Sequence, residues 1–585
     1  MYDKWSLDVF YKGVDDPNIE KDFSKLEALI GEYRAALASA GKKDEKASLH
    51  EIMDIKEQMS DVTNRLYVYF RLRRSANNTD KEGAPYRSRI QELMTSTAKD
   101  DVVFKRFVGG ISDLDCVIKG DCLLEEYGFY LKEIKEELKH SLSEEGEQIF
   151  SKMNTSGGLG WGEQYSYLIS HTYGEVFGEK KTMTALQGLV KSMDKATRKA
   201  AYDAQLEAYS SIEVPLAFSI NNIKAQVIEE AKMRGYDSPL DMTLARSRMK
   251  RETLDMMWET VKESFPKFRE YLKRKAKLLG YENGLPWYEI YAPVGSSSPK
   301  AYTPIDARKH LVDRFALFSP DMSAMMDRAF EEEWIDFYPK MGKSGGAFCY
   351  NLTWFGEARI LTNFNGTFGA VNTLAHELGH AFHGQQTKKN RPLNRLNPLP
   401  VAETASNFNE LFLLNDAISN AEGVERLALI DKQITDTMMI LPEMYTRFKV
   451  EDEIFNRRQK GLVYADEIKQ IMTDAQKEAF GDGLDENCLF PYVWCDKSHF
   501  YSPQRSYYNF PYSFGSLFAR GLHAIYAKEG DAFVEKYRLM LQQTPVNTVE
   551  GAALMAGIDL SDRSFWKNSI RTVYDSIDLF LKETE

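Results

Sequence analysis

The chain has 585 residues, 43% of them hydrophobic and 28% charged, with a formal net charge of −12. That composition is ordinary for a soluble globular protein, and the length allows about four domain equivalents of ~150 residues. The acidic balance argues against nucleic acid or an anionic membrane as partner, and no stretch approaches the ~18 uninterrupted apolar residues of a membrane span. The N-terminal residues MYDKWSLDVFYKGVDDP contain no apolar run of a secretory leader. Cys116, Cys122, Cys349, Cys488 and Cys495 are few, odd in number and scattered, which fits free thiols in a reducing compartment. A cytoplasmic location is the expectation.

Much of the chain reads as helix. Residues 19–39 place Phe23, Leu26, Leu29 and Ile30 at helical spacing. From about Glu45 to Arg74, Ile52, Ile55, Met59, Val62, Leu66, Tyr67 and Phe70 fall along one side. The pattern continues over 122–153 and 186–235, and such stripes predict helix packed on helix. After Gly280 the texture changes: 281–303 is rich in Pro, Gly and Ser and marks a break. Three short strand-like pieces follow, at 334–338, 347–352 and 358–364. Helical periodicity resumes at about Val371 and runs to the end, with no internal repeat. The expected fold is mostly α, with a small β-sheet just before one helix of special composition. We divide the chain into an N-terminal helical region, 1–195, and a catalytic region, 196–585.

That helix carries His376-Glu377-Leu378-Gly379-His380. A His-x-x-x-His pair sets two imidazoles one turn apart on one face, where they can share an ion. Leu374, Ala375, Leu378, Ala381 and Phe382 predict a buried helix, with Asn372 or Thr373 near its cap. Zinc suits neutral imidazole donors and leaves a position open for water. Glu377, beside the first ligand, is placed to act on that water as general base. With only 9 His in the chain, the motif is expected by chance roughly 0.02 times.

A third ligand is needed. His383 shares the helix face, but one straight helix does not wrap three side chains round an ion, and a packing role is expected for it. The metzincin pattern needs Gly at 383 and His at 386, whereas this chain has His383 and Gln386. Downstream, Glu403 and Glu410 are the first acidic residues, seven apart in the helical run VAETASNFNELFLL. Glu403 is assigned as the third ligand and Glu410 as the carboxylate that orients a ligand histidine.

NTLAHELGHAFH followed by AETASNFNE resembles the oligoendopeptidase F branch of the thimet oligopeptidase-type zinc metallopeptidases. GKSGGAFC at 342–349, ILTNFNGTFG at 360–369 and SHFYSPQRSYYNFPYSFG at 498–515 agree with it. The resemblance is specific over about 330–525 and looser upstream. It implies an elongated, two-lobed helical fold with a deep central channel, one Zn2+ per chain at the channel floor, and internal cleavage of short peptides. His376, His380 and Glu403 fall on the family's zinc positions and Glu377 on its catalytic glutamate. Gly345 and Gly346 fall on a glycine-rich loop that runs beside the bound peptide, where bare backbone permits close approach. His499 falls on a histidine near the substrate, and Tyr508 and Tyr512 on aromatic positions of the motif. There is one departure: Phe510 stands where the thimet-type branch has a tyrosine thought to face the oxyanion, and a phenyl ring cannot donate.

The expected reaction is hydrolysis of an internal peptide bond, with Glu377 as base and proton carrier and with His499 and a tyrosine donating to the oxyanion. The peptide is expected to lie extended along an edge strand near 358–364. Spacing of 508 and 512 by four in a continuous helix would put both tyrosines on one face, with Phe510 turned about 200° away. A zinc carboxypeptidase or dipeptidyl carboxypeptidase on a related fold is the nearest alternative, and product length separates the two. A peptide-binding protein with a dead site is disfavoured by the intact His376, Glu377, His380 and Glu403. A structural zinc site would need a fourth protein ligand, for which Cys349 is the only nearby candidate.

Overall fold

Aspartates start the first two helices. Asp16 accepts the Asn18 amide at 2.9 Å ahead of α1 (Pro17–Ser39), and Asp44 accepts the Ala47 amide at 3.1 Å ahead of α2 (Glu45–Ala76). Each side chain satisfies a backbone donor that the first turn leaves free. Phe23, Leu26, Leu29 and Ile30 of α1 are buried, as are Ile52, Ile55, Val62, Leu66 and Phe70 of α2. Tyr67, one residue from Leu66 and so about 100° round the helix, is exposed instead. The computed structural model describes residues 3–42, 44–295 and 301–585. Positions 1 and 2 of the N-terminal stretch and 296–300 of the Pro/Gly/Ser-rich break lie outside the described residues.

Helices dominate, as expected, but their boundaries are finer than the periodicity indicated. The run over 122–153 is three helices, Cys122–Glu126, Gly128–Lys139 and Glu144–Ser156. A two-stranded hairpin, β1 (Tyr173–Val176) and β2 (Glu179–Thr182), was not legible in the pattern. Beyond it come the long helices α3 (Lys195–Met233) and α4 (Arg251–Leu278).

The three strand-like pieces form one sheet: β3 (Ile335–Asp336), β4 (Phe348–Leu352) and β5 (Glu357–Leu361), in the order β3-β5-β4. β3 is parallel to β5, and β4 is antiparallel to it with Cys349 opposite Ile360. This corrects the edge-strand expectation for 358–364. β5 pairs on both sides, and β3 and β4 are the two edge strands.

Two hydrophobic cores meet at this sheet. One is built from residues between Trp5 and Ile134 together with Leu352 and Leu361. The other runs from Tyr165 to Phe580 and includes Ala358 and Ile360. Alternation along β4 sends Phe348 and Tyr350 to the first core and Cys349 to the second. The stretch from Tyr165 to Leu186 belongs with the second core, so the division between cores falls earlier than residue 195.

Behind the sheet lies α5 (Phe368–Thr387), which carries the His-Glu-Leu-Gly-His segment. Its cap is Thr367, whose hydroxyl accepts the Ala370 amide at 3.2 Å, one turn earlier than Asn372 or Thr373. α5 packs on α6 (Thr404–Asn420), and the bundle continues through α7 (Gly423–Ile440), α8 (Pro442–Arg458), α9 (Phe510–Glu529) and α10 (Arg563–Glu583). Among the described residues no helix is long and apolar enough to cross a membrane.

Candidate metal centre

Val371, Leu374, Ala375, Leu378, Ala381 and Phe382 bury one side of α5. Burying each large side chain contributes about 1.5–3 kcal/mol, which holds the helix against its neighbours. Gly379 sets how close α6 comes: a Cβ there would lie 2.6 Å from the Ala405 carbonyl oxygen and 2.7 Å from Ser406 Cα. Any side chain at 379 would push apart the two helices that carry the candidate ligands.

At this contact His376, His380 and Glu403 converge, with one donor atom from each lying within 4.8 Å of the others. Glu403 Oε2 is 3.3 Å from His376 Nε2 and 3.2 Å from His380 Nε2. A tetrahedral ion with bonds of about 2.0–2.1 Å sets its donors roughly 3.3 Å apart, which is the spacing on these two edges. The imidazoles are nearly perpendicular, at 82°, so each aims a nitrogen inward from its own direction. Two nitrogens and one carboxylate oxygen are a donor set that zinc takes, and the residues fit such an ion.

Neighbours hold the three donors in place. Glu403 is not inside α6 but at its N-terminus, where Ser406 Oγ donates to its Oε2 at 2.8 Å. Glu410, two turns on, brings Oε1 to 3.3 Å from His376 Nδ1. Asn351 Nδ2 on β4 donates to the His380 carbonyl at 3.0 Å, and Asn409 Nδ2 donates to the Ala375 carbonyl at 3.1 Å. Sequence reasoning missed Ser406, Asn351 and Asn409. Only Ser406 left a local signal, since a serine three residues after an acidic residue at a helix start reaches back over one turn.

The electrostatics favour positive charge at the centre. Burial works against a charged His376, but the carboxylates of Glu403 and Glu410 outweigh it and raise the imidazole to about 10. Burial would raise Glu403, yet His376 and His380 hold it far below the usual carboxylate range. Glu377 is 5% exposed. Burial pushes its carboxyl up, opposed by the two histidines. His383 points elsewhere, as expected: it is buried with Nε2 2.8 Å from Thr544 Oγ1, and burial lowers it to about 3, so its ring is neutral.

The C-terminal aromatic candidates contact one another in series. The Tyr508 and Tyr512 rings are 5.7 Å apart, and the Tyr508 and His499 rings 6.4 Å. Tyr512 is raised to about 12 by burial, then by Tyr508 and by the charge of Glu403. The helix expected through 508–512 starts only at Phe510, because Tyr507 adopts φ +55° and breaks the register. The two tyrosines still meet, while Phe510 is fully buried. His499 has a buried Nε2 without a hydrogen-bond partner among the described residues. Burial, followed by the charges of Arg447, Lys224 and Lys497, lowers it to about 3.

Gly345 and Gly346 lie in the turn that enters β4. Asn363 Nδ2 ties this turn by donating to the carbonyls of Ser344 and Gly346 at 3.1 and 2.8 Å. Gly346 has φ +75°, and a Cβ on either glycine would meet nothing within 4 Å, so open space borders this backbone.

The sequence matches the profile of Peptidase family M3 over residues 189–542 and that of Oligopeptidase F over residues 112–172. Oligopeptidase PepF of Bacillus subtilis (strain 168) is 24% identical over 582 residues, covering 96% of this chain and 84% of the relative. Group B oligopeptidase PepB of Streptococcus agalactiae serotype III (strain NEM316) is 24% identical over 543 residues, covering 89% and 88%. Among solved structures, a chain from Chlamydophila abortus assigned as a peptidase superposes with a TM-score of 0.85 at 19% identity, covering 100% of this chain and 98% of that one. Oligoendopeptidase-F from Enterococcus faecium superposes with a TM-score of 0.70 at 17% identity, covering 97% and 98%. The structures show a shared fold. With the profile match spanning the donor cluster and its supporting helices, the chain belongs to Peptidase family M3 and is an oligopeptide-cleaving metallopeptidase.

Proposed function

We propose that this chain is a zinc-dependent endopeptidase that holds one zinc ion between His376, His380 and Glu403 and cuts short peptides at internal bonds. The observation that carries the reading is the convergence of two imidazoles and a carboxylate from facing helices beside the buried Glu377. Bound there, zinc supplies Lewis-acid chemistry, polarising a carbonyl and making a water more acidic. Glu377 takes the proton of the attacking water and returns it to the leaving amine. Glu410 Oε1, 3.3 Å from His376 Nδ1, is the carboxylate placed to orient the ring so that Nε2 faces the ion. Residues 196–585 supply this machinery; of the helical region 1–195, the part up to Ile134 packs on the other side of the sheet and the part from Tyr165 packs with the catalytic region.

Tyr508, Tyr512 and His499 donate to the oxyanion. A phenol whose hydroxyl is raised to about 12 stays protonated at neutral pH and is a donor. A neutral imidazole likewise carries one N–H. Tyr512→Phe should lower kcat by ~10²–10³, the usual loss for one oxyanion donor, with zinc content unchanged. Phe510→Tyr should not raise activity, because position 510 is fully buried and its hydroxyl would be left without a partner. Steady-state kinetics and elemental analysis on both variants check this; full turnover in Tyr508→Phe and Tyr512→Phe alike would make both rings packing residues.

The substrate backbone lies along the free edge of β4 rather than along β5, entering past Gly345 and Gly346. Relatives named oligopeptidase and oligoendopeptidase support short peptides as the substrate class. The five cysteines are all unpaired, which supports work in a reducing compartment such as the cytoplasm. Mass spectrometry of the products from one defined decapeptide tests the reading. Internal cuts that stop on adding a chelator are expected, with denatured casein left intact. Release of C-terminal single residues or dipeptides alone would establish the carboxypeptidase alternative instead.

A further inference from the structure

Arg520 sits in α9 and is 6% exposed. Taking a guanidinium out of water is costly unless an acid pairs with it. Lys224, Arg198 and Lys275, buried as deeply, each have such a partner, in Glu451, Glu289 and Asp431. Among the described residues Arg520 forms no ion pair. Its Nη2 donates to Thr437 Oγ1 of α7 at 2.5 Å and its Nη1 to Thr572 Oγ1 of α10 at 3.4 Å, both neutral hydroxyls. Burial lowers it to about 10, so the charge persists at neutral pH. His523 supplies no counter-charge, since burial and then the Arg520 charge lower it to about 4. Arg520 lines a cavity of about 70 Å³. Asn372, Asn407 and Ser516 also face it, and their side chains form no hydrogen bond among the described residues. Asn372 Oδ1 is buried there without a partner. A half-turn of an amide exchanges its oxygen and its two N–H donors, so all three side chains can donate into the space.

We propose that Arg520 anchors a binding site for one small monovalent anion, chloride foremost. The anion supplies the missing counter-charge and accepts hydrogen bonds from the guanidinium and the neutral donors around it. Size limits the ligand: the cavity is a little over twice the ~30 Å³ that one water occupies in the liquid, enough for a halide with a water and too little for a nucleotide or a peptide. Charge limits it as well. Two carboxylates stand in the wall, and both are already engaged: Glu410 Oε1 lies 3.3 Å from His376 Nδ1, and Asp436 Oδ2 accepts from Lys432 Nζ at 2.5 Å. They leave Arg520 uncompensated, yet their charge disfavours a multivalent anion, so a single negative charge is selected. A filled site is neutral and no longer draws the Glu410 carboxylate away from His376. Hydrolysis should therefore rise as the site fills; this consequence rests on the function proposed above, whereas binding does not.

The test titrates the full-length, zinc-loaded enzyme with sodium chloride against sodium gluconate at equal ionic strength. Saturable broadening of the chloride nuclear resonance reads binding, and peptide hydrolysis should rise with it by ~5-fold, the low end of ordinary couplings between sites. Arg520→Met should need ~10-fold or more chloride for the same broadening, the loss expected for one charged hydrogen-bonding partner. Ser516→Ala keeps the guanidinium and should weaken binding by less. Crystals of the unaltered enzyme soaked in sodium bromide should show an anomalous peak beside the Arg520 Nη atoms, which reads the site without any variant. His380→Ala removes a donor of the metal and should keep the broadening. Chloride binding that is lost in His380→Ala and kept in Arg520→Met places the ion on the metal and overturns the site. A bromide peak absent from the cavity overturns it too. A failure of the zinc assignment itself would show differently, as full zinc in His380→Ala with the halide signal still following Arg520.

Discussion

His380→Ala should lose bound zinc and peptide hydrolysis together while keeping its helical fold. The imidazole supplies one of three converging donors, 3.2 Å from the Glu403 carboxylate. With it gone, one imidazole and one carboxylate remain, short of the three protein ligands that a catalytic zinc needs. A bound ion supplies several kcal/mol of charge stabilisation, and each ~1.4 kcal/mol is tenfold in rate, so hydrolysis should fall by ~10³-fold or more. The backbone around residue 380 is held independently of its side chain: Asn351 bonds the carbonyl, and Gly379 keeps α6 in contact. The matched control is His383→Ala, three residues along the same helix. That ring bonds Thr544 inside the packed core, so the variant should melt lower and retain zinc. Elemental analysis alongside thermal melts reads both. Full zinc in His380→Ala would end the ligand assignment.

Glu377→Gln should show the opposite separation, with zinc kept and catalysis lost. The substitution preserves shape and removes only the ability to take a proton. Loss of a general base lowers the rate by ~10²–10⁴. Stability should not fall. Burial holds the Glu377 carboxyl above the ordinary range, so its ionised form at neutral pH costs folding free energy, and a neutral amide removes that cost. The informative measurements are kcat at saturating peptide, metal content and melting temperature on one preparation. Turnover near that of the wild type would mean that another group takes the proton.

The chemistry of the centre was legible because it is local. His376 and His380 are four positions apart, and the 3.6-residue helical period alone puts both rings on one side. Glu403 was reachable by the same logic, as the first acidic residue of the next helical run. Its position at the start of α6, where Ser406 fixes the carboxylate, was not. The break at Tyr507 was equally hidden: a tyrosine at φ +55° is uncommon, and surrounding packing imposes it. Tyr508 and Tyr512 still met, through tertiary contacts and not through the helix expected for them. Strand order lay further out of reach. Periodicity found the three strands near their true places, yet β5 took the middle and β4 the edge, because β3 pairs with β5 across more than twenty residues. A side-chain pattern records which faces are apolar and carries no record of which neighbour fills which edge. The same limit hid Asn351, whose role depends on β4 lying against α5. The sequence by itself determined a mostly helical peptidase and placed His376, Glu377 and His380 together on one helix; the tertiary structure decided which side chains hold those groups in place and which strands take the edges of the sheet, since contacts between distant segments are set by packing and not by local period.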